Sequence, residues 1–113
     1  MNEIQCTCLE TPDGLHKYEK RFVGIDETNG RYGEVELQTC SRCQQIWLRY
    51  FVEYEGFSNS GRWFRGRISQ SEAKIMTPES APEYLEMLDW YFVGGSYFDG
   101  VVSKQSGKPR VDL

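Results

Sequence analysis

Between Gln45 and Tyr54 apolar and polar positions alternate, with Ile46, Leu48, Tyr50, Val52 and Tyr54 on one side and Trp47, Arg49, Phe51 and Glu53 on the other. A period of two marks a strand, because successive side chains project to opposite faces of a pleated ribbon. The same reading makes Arg62–Ser69 extended, with Phe64 and Ile68 opposed to Trp63, Arg65 and Arg67. Upstream, Lys17–Asp26 and Gly33–Thr39 flank Glu27-Thr28-Asn29-Gly30. Asn-Gly tolerates positive φ at both positions, so these two stretches read as an antiparallel hairpin. Four strands in a meander are expected.

Beyond Ser69 the period lengthens to that of a helix. Ser80-Ala81-Pro82-Glu83 has the form of a capping box, with proline in the first turn, where a missing amide proton costs nothing. Ala81, Leu85, Leu88 and Phe92 form an apolar stripe widened by Tyr84 and Tyr91, while Glu83, Glu86 and Asp89 point elsewhere and Gly94-Gly95 supplies the stop. This predicts one long helix that covers a face of the sheet, with Trp90 on its polar side. A second box, Ser69-Gln70-Ser71-Glu72, predicts a short helical turn through Met76. Val101 and Val102 suggest a brief edge strand, and residues 103–113, where Lys104, Lys108 and Arg110 sit among glycine and proline, read as a flexible tail.

Composition narrows the class. A chain of 113 residues fits one domain, expected over residues 1–102, and aromatic residues at 14% place much of the core area in large rings. No apolar run is long enough to span a membrane, and Met1-Asn2-Glu3-Ile4 lacks the basic and apolar segments of a secretory leader, so the expected location is the cytoplasm. Net charge is −4, and the acid excess lies wholly before Gly56, with six basic against ten acidic residues there and seven of each afterwards. Such a surface repels phosphate backbones, which favours a basic protein partner over nucleic acid.

All four cysteines fall in two tight pairs, Cys6-Thr7-Cys8 and Cys40-Ser41-Arg42-Cys43. Two thiolate pairs held in turns can converge on one soft cation and complete a tetrahedron around Zn²⁺. Cysteines two residues apart bridge each other only with strain, and no helix pattern follows Cys43 to lower its thiol pKa. The expected cofactor is therefore a structural zinc on Cys6, Cys8, Cys40 and Cys43, and a thiol redox role for Cys40 and Cys43 is the alternative. Zinc binding on the order of 10 kcal/mol is comparable to the ~5–15 kcal/mol by which a small domain is stable. His16, the single histidine, is a substitute ligand, although a solvated loop imidazole after Pro12-Asp13-Gly14 is the plainer reading. Over Ile4–Tyr54 the paired cysteines resemble those of zinc-ribbon and zinc-knuckle proteins, here with one residue inside the first pair and a longer gap. The segments Ser60-Gly61-Arg62-Trp63-Phe64-Arg65-Gly66 and Gly94-Gly95-Ser96-Tyr97-Phe98 look like those of small bacterial proteins that carry such motifs.

Catalytic constellations are thin. One histidine allows no Ser/His/Asp triad, and four thiolates close a zinc sphere against activated water. Glu34 with Glu36, and Glu53 with Glu55, share strand faces, as chance pairs among seventeen acids do. Trp47, Arg49, Phe51, Trp63, Arg65 and Arg67 define a ring and arginine face, the composition of protein hot spots and also of single-strand nucleic-acid platforms. The sequence therefore predicts an α+β domain: an antiparallel four-stranded meander with a zinc-knuckle hairpin and one C-terminal helix packed on the sheet. Its expected role is non-catalytic protein binding, for example as an inhibitor or immunity-type protein against a basic enzyme, with nucleic-acid binding through the arginine face as the rival.

Overall fold

The computed structural model describes residues 18–54 and 56–111. Its centre is a six-stranded antiparallel sheet in which spatial and sequence order coincide: β1 (Tyr18–Asp26), β2 (Gly33–Cys40), β3 (Ile46–Val52), β4 (Arg62–Ile68), β5 (Tyr91–Gly94) and β6 (Ser103–Gln105). Two short helices, α1 (Gln70–Ile75) and α2 (Ala81–Met87), lie between β4 and β5. The expected four-stranded meander with one C-terminal helix is thereby corrected on strand number and on the helix.

β1, β3 and β4 fall within the expected spans, and β2 runs one residue past its expected end at Thr39, to Cys40. The error lies after α2. The apolar spacing of Leu85, Leu88 and Phe92 suits a helix, yet Leu88 has extended backbone (φ −77°, ψ 152°) and Tyr91–Gly94 forms β5 instead. Every residue of β5 is buried, because its two faces contribute to different cores. A fully buried run of rings and valine has no amphipathic face for a helix to expose, so ladder pairing with Trp63–Arg65 of β4 overrides the 3.6-residue spacing. The capping also shifts. Ser69 caps α1 by accepting from the Glu72 amide, as predicted, but Ser80 does not cap α2. Thr77 and Ser80 instead close a reciprocal capping box around the 3₁₀ turn Pro78–Ser80.

The main core lies on the helical face of the sheet. Val35 and Leu37 of β2, Leu48, Tyr50 and Val52 of β3, and Phe64 and Ile68 of β4 pack with Ala73 of α1 and Ala81 and Leu85 of α2. Leu85 and Leu88 settle over Gly66, the position opposite Leu48, where any Cβ would collide with both. The helices therefore rest close against the sheet.

A buried polar knot closes one end of this core. Asp26 accepts from the Thr28 amide (3.1 Å), Arg31 Nε (2.9 Å) and the Tyr50 hydroxyl (2.7 Å). Tyr50 reaches the carboxylate by passing over Gly33, where a Cβ would overlap its ring. Burial pushes the Asp26 carboxyl up, but the hydrogen bonds from Thr28, Tyr50 and Arg31 outweigh it and hold the group below its ordinary value.

Residues 103–111, for which a flexible tail is the sequence expectation, are placed against the body of the fold. β6 pairs with β5, and the Tyr91 hydroxyl donates to the Gly107 carbonyl (2.8 Å). Further on, Tyr54 donates to the Val111 carbonyl (2.6 Å) and Arg62 Nη1 to the Arg110 carbonyl (3.1 Å), while the Val111 side chain enters the main core.

Candidate functional site

β2 ends on Cys40 and turns through Ser41-Arg42-Cys43-Gln44 into β3. The Gln44 amide donates to the Cys40 carbonyl (2.9 Å) and the Cys40 amide to the Gln45 carbonyl (2.9 Å), with Gln44 left-handed at φ 65°. This makes a tight turn carrying two thiols three residues apart. Cys40 is buried with Trp47 and Phe92, whereas Cys43 is exposed beside Thr39, Gln45, Ile68 and Gln70. Cys6, Cys8 and His16 lie outside the described residues, among which no three metal-binding side chains gather. No helix begins at the turn, so the dipole that activates a thioredoxin-type thiol is missing there.

On the second face of the sheet the register brings the ring and arginine positions together: Trp47 lies opposite Arg67, Arg49 opposite Arg65 and Phe51 opposite Trp63. They do not form one exposed patch. Trp47 is 0% and Arg65 3% exposed. The Trp47 ring centroid lies 5.6 Å from that of Phe92 and 6.3 Å from that of Trp90. The Arg65 guanidinium sits 4.5 Å from the ring centroids of both Tyr18 and Trp47, with Nε donating to Gln38 (2.9 Å). Both residues thus belong to a small second core.

Arg67 is exposed and donates to Gln45 (3.1 Å). Arg49, Phe51 and Trp63 are half-buried and form the accessible part of the expected face. Glu36 stands opposite Arg49, and burial pulls that guanidinium below its ordinary value against the opposing pull of Glu36 and Glu34. These glutamates therefore work as counter-charges for the Arg49 cation. Phe22 on β1, opposite Glu36, is 60% exposed and extends the apolar area.

Several contributors escape a reading by strands alone. Trp90 lies just before β5, not on a helix, and carries the Lys104 ammonium 4.4 Å from its ring centroid. Arg62, on the helical face, is 1% exposed, donates to the Ser60 carbonyl through Nε (3.0 Å) and stacks 3.9 Å from the Tyr97 ring centroid. The frequency of arginine beside aromatic residues in Arg62-Trp63-Phe64-Arg65 is the one available signal, and it does not separate buried cations from exposed ones.

No protein-family model matches the chain, and no curated protein or solved structure shows significant similarity to it. Among the described residues no helix is long and apolar enough to cross a membrane.

Proposed function

We propose that this chain is a zinc-stapled protein-interaction module without catalysis, and that the second face of its sheet binds a basic protein. An inhibitor or immunity-type role against a basic enzyme is the concrete form of this reading. The observation that carries it is the uneven closure of the sheet. One face is sealed by α1 and α2, while the other bears no helix among the described residues and leaves Phe22, Phe51 and Trp63 within reach beside Glu34 and Glu36. Rings set on strands lose little freedom on binding, and the net charge of −4 favours a cationic partner. Burial of Arg65 between two rings withdraws one of the two arginines, Arg65 and Arg67, on which phosphate binding through this face would draw.

The zinc part of the proposal rests on the thiol turn. Tyr18 pairs with Cys40, so the chain upstream of β1 departs from beside that turn. The ten steps from Cys8 to Tyr18 span up to about 35 Å when extended, ample for Cys6 and Cys8 to join Cys40 and Cys43. Four thiolates would hold the ion in a closed, structural site.

Two measurements test the two parts. Native mass spectrometry should give the chain plus one zinc, released by chelator with loss of thermal stability; an apo mass with unchanged melting in chelator overturns the staple. A photo-crosslinking side chain placed at Phe51 should yield a defined adduct with a basic protein in the host, and one at Met87, on exposed α2 surface, should not. No adduct at position 51, or the same adduct at both positions, overturns the interaction face.

A further inference from the structure

We propose that the groove between the β3–β4 and β5–β6 connections seats one cationic side chain of the partner, an arginine or a lysine; this rests on the reading of the adjoining sheet face as a protein-binding surface. The two connections are bonded into one unit. The Tyr97 amide donates to the Gly61 carbonyl (2.8 Å) and the Gly61 amide to Ser96 Oγ (3.1 Å). Between them lies a shallow, open groove of about 660 Å³ lined by Asn59, Trp63, Ser96, Asp99 and Val102. Trp63 belongs both to this groove and to the accessible face, since it lies opposite Phe51.

Three observations select a cation as the occupant. The first is how the chain uses its rings. Arg49 lies against Phe51, Arg62 against Tyr97 and Tyr54, Arg65 against Tyr18 and Trp47, and Lys104 against Trp90 and Phe92. Among the described residues Trp63 is the tryptophan that no cation covers, although the indole has the strongest attraction for one. Secondly, the groove is flanked by carboxylates. Asp99 lines it, and Glu53, just past the end of β3, approaches Gly61, its Oε2 3.3 Å from where a Cβ would stand and Ser96 Oγ 3.1 Å from the same point. Both acids are exposed and neither forms an ion pair among the described residues. Thirdly, the whole chain is acidic at −4, which draws a positive partner toward the site. Left-handed backbone at Asn59 (φ 56°), Gly95 (φ 109°) and Asp99 (φ 56°) shapes the walls, so that the indole and carboxylates are in place before the ligand arrives.

The test follows the three indole Nε1–H resonances by ¹⁵N NMR, with Trp63 assigned from Trp63→Phe. Acetyl-Gly-Arg-Gly-amide is titrated in, with the citrulline peptide as a neutral probe of the same shape. The arginine peptide should shift Trp63 saturably and leave Trp47 and Trp90 in place, while the citrulline peptide leaves all three unmoved. Asp99→Asn keeps the left-handed tolerance of the position, Glu53→Gln keeps its size, and each should weaken binding by about two- to five-fold. Equal shifts with citrulline, a silent Trp63, or unchanged affinity in both variants overturns the assignment. A silent Trp63 together with a crosslink at position 51 removes the groove alone, whereas failure of that crosslink removes the face on which the groove depends.

Discussion

Removing one oxygen from the middle of the Asp26 knot isolates a single charged hydrogen bond. In Tyr50→Phe the ring stays over Gly33, and Asp26 keeps the Thr28 amide and Arg31 Nε but loses the 2.7 Å donation from the hydroxyl. A buried hydrogen bond to a charged group contributes about 1.5–3 kcal/mol, so Tyr50→Phe should be less stable by that amount near neutral pH. Urea unfolding is the appropriate assay, because a change in midpoint without a change in slope reports stability alone. Acid supplies a second test of the same bond. Since the folded Asp26 carboxyl is held below the ordinary 3.8, its contribution is complete above that value and is lost as pH falls through the lower folded one. The gap between wild type and variant should therefore hold down to about the ordinary carboxylate range and narrow below it. A difference under about 0.5 kcal/mol at neutral pH, or one that acid leaves untouched, would refute the claim that Tyr50 holds a carboxylate anion.

The other expectations are simpler to state. Gly33→Ala places a methyl group inside the Tyr50 ring and should cost about 1–3 kcal/mol by thermal melting, even though φ there is unremarkable. Arg65→Ala removes a guanidinium held by two rings and Gln38 and should destabilise by about 2–3 kcal/mol, whereas Arg67→Ala on the exposed neighbour should stay within about 0.5 kcal/mol. Leu85→Ala, at the contact between α2 and Gly66, should lose about 2–5 kcal/mol in chemical denaturation. Should Arg65→Ala prove neutral in stability yet abolish partner binding, the division of the arginines into buried and accessible would be wrong.

Alternation made β3 and β4 legible because each has one face on the main core, so Leu48, Tyr50 and Val52 repeat every second residue with little ambiguity, while the Asn29-Gly30 turn marked β1 and β2. β5 was hidden for the opposite reason: with both faces covered, Tyr91, Phe92 and Val93 show no period of two, and their spacing from Leu85 and Leu88 imitates a helix. β6 is three exposed residues held by backbone pairing and by Lys104 over Trp90 and Phe92, contacts that leave no hydrophobic period in the sequence. The register sets the ring and arginine positions opposite one another, but an alternating pattern carries no information about the opposite layer. Only the second core of Trp47, Phe92 and Trp90 separates Arg65, an interior cation, from Arg49 and Arg67. Asp99 and Val102 joined the groove through a loop whose path no periodicity records.

Because every strand bonds only to those immediately before and after it in sequence, the ladder can be assembled one neighbour at a time as the polypeptide is synthesised. The seat of Val111 is different, for its carbonyl meets Tyr54 across 57 positions of sequence. A chain cut before residue 109 would thus keep its paired ladder but leave an open seam beside Tyr54 and Arg62, which local pairing cannot close.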